Sequence, residues 1–252
     1  MTRFLLMSSS RRENLGYLEH AGGQLARLFS GRVKEVTLIP YASVRASFDA
    51  LEALVAAPFA RLGMTVRSVH HAADPARAIR EAEAIAVAGG NTFALLKRIH
   101  DNGLLAPVRE RVAAGVPYVG WSAGSNVACP TIRTANDMAI VMPPSFEAFG
   151  LVPFQINPHF IPGRPPGHNM ETREERLGEF MTINPGETVV ALAEGSALMC
   201  EDGTAEVLGD RGALHLTLAG TVAWPEGHRF RLDSVNAPAA GPAFIDRDSG
   251  GR

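Results

Sequence analysis

Over roughly its first 125 residues the chain alternates short apolar runs with amphipathic stretches, and this alternation restricts the fold more than any other feature. Phe4-Leu5-Leu6-Met7, Val36 to Ile39, Thr65 to Val69, Ala84 to Ala88 and Pro117 to Gly120 read as strands. Between them lie four helical stretches. Leu15 to Phe29 can place Leu15, Leu18, Leu25 and Leu28 on one face, and Phe48 to Leu62 contains Pro58 as a candidate kink. Asp74-Pro75 supplies an N-cap with proline at the first helical position, and Phe93 to Ala114 follows. Strands that alternate with helices build right-handed βαβ units. The expected fold is therefore α/β, a parallel sheet with helices on both faces. Ligands of such sheets sit beyond the carboxyl ends of the strands. A polar residue just after a strand thus carries more functional weight than one in mid-helix.

The texture changes after residue 139. Proline and glycine are dense from Pro143 to Gly167, and then Thr188 to Leu192, Ser196 to Cys200, Ala205 to Leu208 and Ala213 to Leu218 read as short strands. Glu201-Asp202-Gly203 is a hairpin signal. These strands predict that the sheet is mixed, with its C-terminal part antiparallel, inside one domain spanning residues 1–235. Residues 236–252, rich in Pro, Ala, Gly and Asp, read as a poorly ordered tail.

Composition narrows the function classes. A net charge of −2 offers no basic surface for nucleic acid. No apolar run approaches the ~20 residues that cross a bilayer, and the N-terminal apolar run is too short for a secretory signal. Two cysteines, Cys129 and Cys200, give neither a disulfide framework nor a zinc pattern. They read as small buried apolar residues, and the compartment as cytoplasmic.

Gly120-Trp121-Ser122-Ala123-Gly124 fits the G-x-S-x-G pattern of a nucleophile elbow. The apolar run Val116 to Val119 precedes it and small residues suited to a helix start follow, which is the strand–turn–helix context the elbow requires. A serine that merely caps a helix is the competing reading. Gly89-Gly90-Asn91-Thr92 follows the fourth strand, so it belongs at the same edge of the sheet. Its paired glycines can bring backbone N–H groups to a substrate, and one of them with the N–H of Ala123 would form an oxyanion hole. A plain turn capped by Asn91 or Thr92 is the alternative there. His159, ending Gln155-Ile156-Asn157-Pro158 in a proline-rich loop, has the best claim among eight histidines to be a base. His70 and His71, at the end of a strand, are weaker candidates. Two carboxylates could orient His159: Asp137, shortly after the elbow, and Glu194, just after the strand 188–192, with the strand-end position favouring Glu194.

GGNTF, GWSAGSNVACPTIRTANDM, INPHF, ETREER and GHRF, in this order, resemble the S51 serine peptidases, the peptidase E family of α-aspartyl dipeptidases. The similarity runs from residue 1 to about Phe230. The resemblance implies a flavodoxin-like sheet akin to class I glutamine amidotransferases, hydrolysis of dipeptides with N-terminal aspartate, a homodimer, and no metal or organic cofactor. It implies Ser122 as nucleophile, His159 as base, either Asp137 or Glu194 as the orienting acid, and Gly90 with Ala123 as oxyanion donors. Arg173, in the ETREER run, matches the arginine that grips the substrate aspartate, and Asn91 joins it as a substrate contact. The family's usual third glycine before GNTF is Ala88 here. Two further readings stand beside this one: a cyanophycinase-like β-aspartyl peptidase, and a non-enzymatic binding domain of amidotransferase type.

Overall fold

The computed structural model describes residues 2–164, 166–167 and 169–236. The tail expected over 236–252 lies outside the described residues except for Asn236, whose side chain bonds Thr188 and Pro153. The strands are β1 (Arg3–Met7), β2 (Glu35–Ile39), β3 (Thr65–Ser68), β4 (Ile85–Val87), β5 (Tyr118–Trp121), β6 (Gln155–Asn157), β7 (Val189–Leu192), β8 (Ala197–Glu201), β9 (Thr204–Leu208), β10 (Ala213–Thr217), β11 (Gly220–Trp224) and β12 (Arg229–Arg231). The helices are α1 (Gly22–Phe29), α2 (Phe48–Ala60), α3 (Pro75–Glu81), α4 (Thr92–Asp101), α5 (Leu105–Ala113), α6 (Ala123–Asn126) and α7 (Arg173–Ile183).

An eight-stranded sheet runs in the order β12-β9-β8-β1-β5-β4-β2-β3. Its β1, β5, β4, β2 and β3 are mutually parallel, while β8, β9 and β12 join antiparallel. Successive side chains of the inner parallel strands β1, β5, β4 and β2 feed two different cores, while the edge strand β3 is largely exposed. Phe4 and Leu6 enter one cluster with Ile85, Val87 and Tyr118, whereas Leu5 and Met7 enter the other with Ala84, Ala86 and Trp121. Both faces are dry, so these strands are apolar runs and not alternating ones.

The C-terminal strands meet the expectation in part. With β8, β9 and β12 the large sheet is mixed and its C-terminal part antiparallel, but β6, β7, β10 and β11 leave it for a second sheet in the order β11-β10-β7-β6, with β6 and β7 parallel. It packs on the first through Ile156, Val190 and Leu192, which share a cluster with Leu198 and Cys200. Local pattern shows where a short strand lies, but not which partner its backbone groups find, because that pairing is set by distant residues.

Helix boundaries also shift for physical reasons. The long helix expected over 93–114 divides into α4 and α5 at Asn102-Gly103, where Gly103 takes φ +62°. The first helix begins at Gly22, since Leu18 occupies a left-handed conformation ahead of it and Leu15 stays exposed. Helix α2 runs through Pro58. Asp74 caps α3 as its sequence implies, accepting from Arg77 N at 2.9 Å. Among the described residues no helix is long and apolar enough to cross a membrane.

Candidate active site

Strand β5 ends in a sharp bend. Ser122, immediately after Trp121, holds φ 55° and ψ −114°, a backbone conformation that costs an ordinary residue roughly 1–3 kcal/mol. The surroundings impose it. Ser122 N–H donates to Met7 O (3.0 Å), Tyr118 OH to Gly124 O (2.7 Å) and Ser125 Oγ to Met7 O (2.7 Å). The two glycines of the pentapeptide are needed for close approach. A Cβ on Gly120 would lie 2.4 Å from Gly124 O, and one on Gly124 would lie 2.1 Å from Val87 O. Only bare backbone lets the bend press this closely onto β4.

Ser122 begins α6 without capping it, because its hydroxyl makes no bond to that helix. The Oγ instead lies 2.8 Å from His159 Nε2, and His159 Nδ1 lies 2.9 Å from Glu194 Oε1. The three side chains come from the end of β5, the loop after β6 and the loop after β7, so both sheets contribute. Helix α6 has only four residues. Any stabilisation of negative charge beside Ser122 therefore rests on individual N–H groups, since so short a helix sums little dipole.

Asp137, the other candidate acid, is elsewhere. Its Oδ2 accepts from Thr92 N (2.9 Å) and from Thr92 Oγ1, and Asn126 Nδ2 donates to that same hydroxyl at 3.1 Å. The first N–H groups of α4 have no partner inside the helix, and a carboxylate there satisfies one of them. Asp137 thus serves the start of α4, and Glu194 holds the imidazole. Asn91 has a similar explanation. Its Oδ1 caps α4 by accepting from Ala94 N (3.0 Å), and its Nδ2 donates to Met138 O (2.9 Å). Both ends of this amide are engaged, so the capping alternative describes its side chain, and a substrate contact would cost one of those bonds.

Gly90 stands with φ +142°, where a Cβ would meet Ala42 O at 2.3 Å. Its neighbour Gly89 lies against the serine: a Cβ there would stand 3.0 Å from Ser122 Cβ. Among the described residues neither the N–H of Gly90 nor that of Ala123 is spent on a protein acceptor.

The His159 loop is tied down by residues that the sequence reading passed over. His159 has φ +53°, and its N–H donates to Ser8 Oγ (2.8 Å), which in turn donates to Leu192 O (2.9 Å). Ser9 Oγ accepts from Gly195 N (3.2 Å), next to Glu194. Ser8 and Ser9, both buried, thus fix the two loops that carry the imidazole and the carboxylate. The signal was present in Met7-Ser8-Ser9-Ser10, a polar run just past a strand. Asn136 Nδ2 donates to Pro158 O (2.9 Å), and Arg173 Nη1 donates to Pro158 O (3.2 Å) and to His159 O.

Arg173, the first residue of α7, borders a polar cavity of about 520 Å³ shared with Arg133, Asn136, Asp137 and Arg176. Arg133 pairs with Glu187, and Arg176 lies 3.8 Å from Glu171. Among the described residues Arg173 has no carboxylate within ion-pair distance. Burial lowers its pKa from the usual guanidinium value, as does the like charge of Arg176, while Glu174 and Glu194 oppose the shift. A half-buried cation that pairs with no carboxylate among the described residues stands beside the serine's histidine.

Three comparisons bear on this geometry. The Salmonella typhimurium peptidase E is 46% identical over 228 residues, covering 90% of this chain and 99% of that one. The Pasteurella multocida peptidase E is 48% identical over 215 residues, covering 85% and 92%. A solved structure of a peptidase from an acI-B1 Actinobacterium superposes with a TM-score of 0.61 at 19% identity, covering 89% of this chain and 97% of that one, and so speaks for the fold alone. The family model described as peptidase family S51 matches residues 4–208, a span that contains the elbow, the histidine loop and the glutamate. The chain belongs to peptidase family S51.

Proposed function

We propose that this chain is a serine dipeptidase that hydrolyses Asp-X dipeptides through an acyl-enzyme. Ser122 Oγ attacks the aspartyl carbonyl carbon as His159 Nε2 takes its proton. Glu194 holds the opposite nitrogen and stabilises the imidazolium that forms. The N–H groups of Gly90 and Ala123 receive the negative oxygen of the tetrahedral intermediate. His159 then delivers its proton to the departing amine, X leaves, and water, activated by the same imidazole, releases aspartate and restores Ser122.

One observation carries the specificity: Arg173 is a half-buried guanidinium with no carboxylate partner among the described residues. Nη1 is spent on the His159 loop, which leaves Nε and Nη2 for the side-chain carboxylate of aspartate. Binding the acidic side chain would thereby act on the same loop that carries the base. The flavodoxin-like reading of the fold is supported by the parallel order β3-β2-β4-β5-β1, in which the first strand takes the place of a fifth in the order 2-1-3-4-5. Two buried, unpaired cysteines fit a cytoplasmic setting. A homodimer is part of this reading, with sedimentation equilibrium as its check.

The test is a panel of Asp-Leu, β-Asp-Leu and Ala-Leu. Ser122→Ala should abolish turnover of Asp-Leu, and near-normal kcat would remove the serine mechanism. Arg173→Met should depress Asp-Leu selectively. An equal loss on Ala-Leu would strip Arg173 of the specificity role, and preference for β-Asp-Leu would move the enzyme to the β-aspartyl class.

A further inference from the structure

At the far edge of the large sheet, Asp49 and Glu52 on α2 face His70 and His71, which lie in the 3-10 turn that follows β3. One donor atom from each of the four lies within 4.8 Å of every other. His70 Nε2 is 2.8 Å from Asp49 Oδ1, His71 Nε2 is 2.7 Å from Glu52 Oε2, and His71 Nε2 is 3.5 Å from Asp49 Oδ1. Asp49 and Glu52 are three residues apart on a helix and so share a face.

The atoms behind this cluster fix which nitrogens and oxygens point inward. Ser68 Oγ lies 2.6 Å from His70 Nδ1 and 3.4 Å from Leu38 O, so the hydroxyl anchors the ring through Nδ1 and leaves Nε2 as the nitrogen that faces the carboxylates; in the tautomer with hydrogen on Nδ1 the hydroxyl accepts from the ring and can donate to Leu38 O. Ser68 N–H donates to Glu52 Oε1 (2.8 Å), which aims Oε2 at His71. Outer hydrogen bonds that set a histidine tautomer and hold a ligating carboxylate are what metal sites place behind their ligands.

The two short N···O gaps can be bridged by ring protons, one hydrogen bond from each imidazole, or by a single divalent cation that replaces both protons and gathers all four donor atoms at once. Two imidazole nitrogens and two carboxylate oxygens suit a tetrahedral zinc-type ion, whose neighbouring ligand atoms stand about 3.4 Å apart at ordinary bond lengths. The separations of 2.7 and 2.8 Å would open slightly to reach this, 3.5 Å already matches it, and the remaining pairs start from within 4.8 Å.

We propose that Asp49, Glu52, His70 and His71 form a zinc-type cation site that clamps α2 to the end of edge strand β3. The site stands three strands from β5 in the sheet, roughly 14 Å at ordinary strand spacing, and takes no part in the peptidase chemistry. It adds a metal to a chain whose sequence implied none, because the four ligands are drawn together only by the packing of α2 on β3.

The experiment titrates the full chain, stripped with chelator, with Co²⁺ and then Zn²⁺. One equivalent of Co²⁺ should give the visible d–d bands of a tetrahedral site, Zn²⁺ should displace them, and Zn²⁺ should raise the thermal midpoint. His71→Ala should abolish the bands. Ser68→Ala, which removes only an outer hydrogen bond, should weaken affinity about 10- to 100-fold. Ser122→Ala should bind as wild type does. Absence of stoichiometric binding by the wild-type chain overturns the proposal, as does binding that survives His71→Ala unchanged.

Discussion

Replacing Glu194 by glutamine isolates the charge that faces His159. The glutamine carbonyl can still accept from Nδ1, so the tautomer is kept and only the electrostatic support of the imidazolium is lost. At about 4 Å between charge centres that support amounts to ~1 kcal/mol in water and ~4 kcal/mol at an effective dielectric of 20. The side chains of His159 and Glu194 are 36% and 52% exposed, so solvent screens the pair and a middle figure of about 2 kcal/mol applies. At 1.36 kcal/mol per decade, kcat on Asp-Leu should fall about 30-fold, with KM little changed. A triad amide that leaves the imidazole in the wrong tautomer loses ~10⁴, so the modest drop is itself diagnostic of a tautomer kept. The reference variant is Asp137→Asn, which disturbs the acceptor at the start of α4 and should cost ~1 kcal/mol of stability while keeping kcat within about 5-fold. Amino-acid release followed by chromatography gives both constants, and urea unfolding gives the stability. A hundredfold loss in Asp137→Asn beside near-normal Glu194→Gln would refute the assignment of the acid.

Gly90→Ala should cost about 3 kcal/mol or more in urea unfolding, because the new Cβ would meet Ala42 O at 2.3 Å in a conformation with φ +142°; a well-folded, active variant would show that the turn can relax. Ser8→Ala should leave His159 N–H unpaired and remove one of the two bonds to Leu192 O, which keeps Phe160 N–H, lowering stability by ~1–3 kcal/mol and kcat more than KM. A change in KM alone would separate Ser8 from the positioning of the base. All three tyrosines are held above their ordinary titration range by burial, Tyr17 being pushed up to about 12. A raised folded-state pKa stabilises fully below the unfolded value near 10 and is lost as pH climbs through the folded value. Absorbance at 295 nm should therefore stay flat past pH 10 and rise together with alkaline unfolding. A tyrosine titrating near 10 while circular dichroism remains native would contradict the burial.

The sequence determined what short-range physics can write. Apolar runs such as Phe4 to Met7 and Val36 to Ile39 could only be strands buried on both faces, and the glycines around Ser122 marked a bend too tight for side chains. Asp74-Pro75 began a helix for local reasons of hydrogen bonding and φ. These features depend on residues a few positions apart, and they survive in the structure close to where the sequence puts them. Tertiary structure decided whatever depends on partners far along the chain. Whether Asp137 or Glu194 meets His159 turns on the pairing of β6 with β7 in a second sheet, and Asp137 was claimed first by the open N–H of Thr92. The positions of Ser8 and Ser9 beneath two loops, and of Asp49 and Glu52 opposite His70 and His71, follow from β1 and β3 being delivered by the sheet to places their own residues do not specify. Local pattern fixes the conformation of a segment, but the neighbours of a side chain are fixed by which segments bury their backbones together.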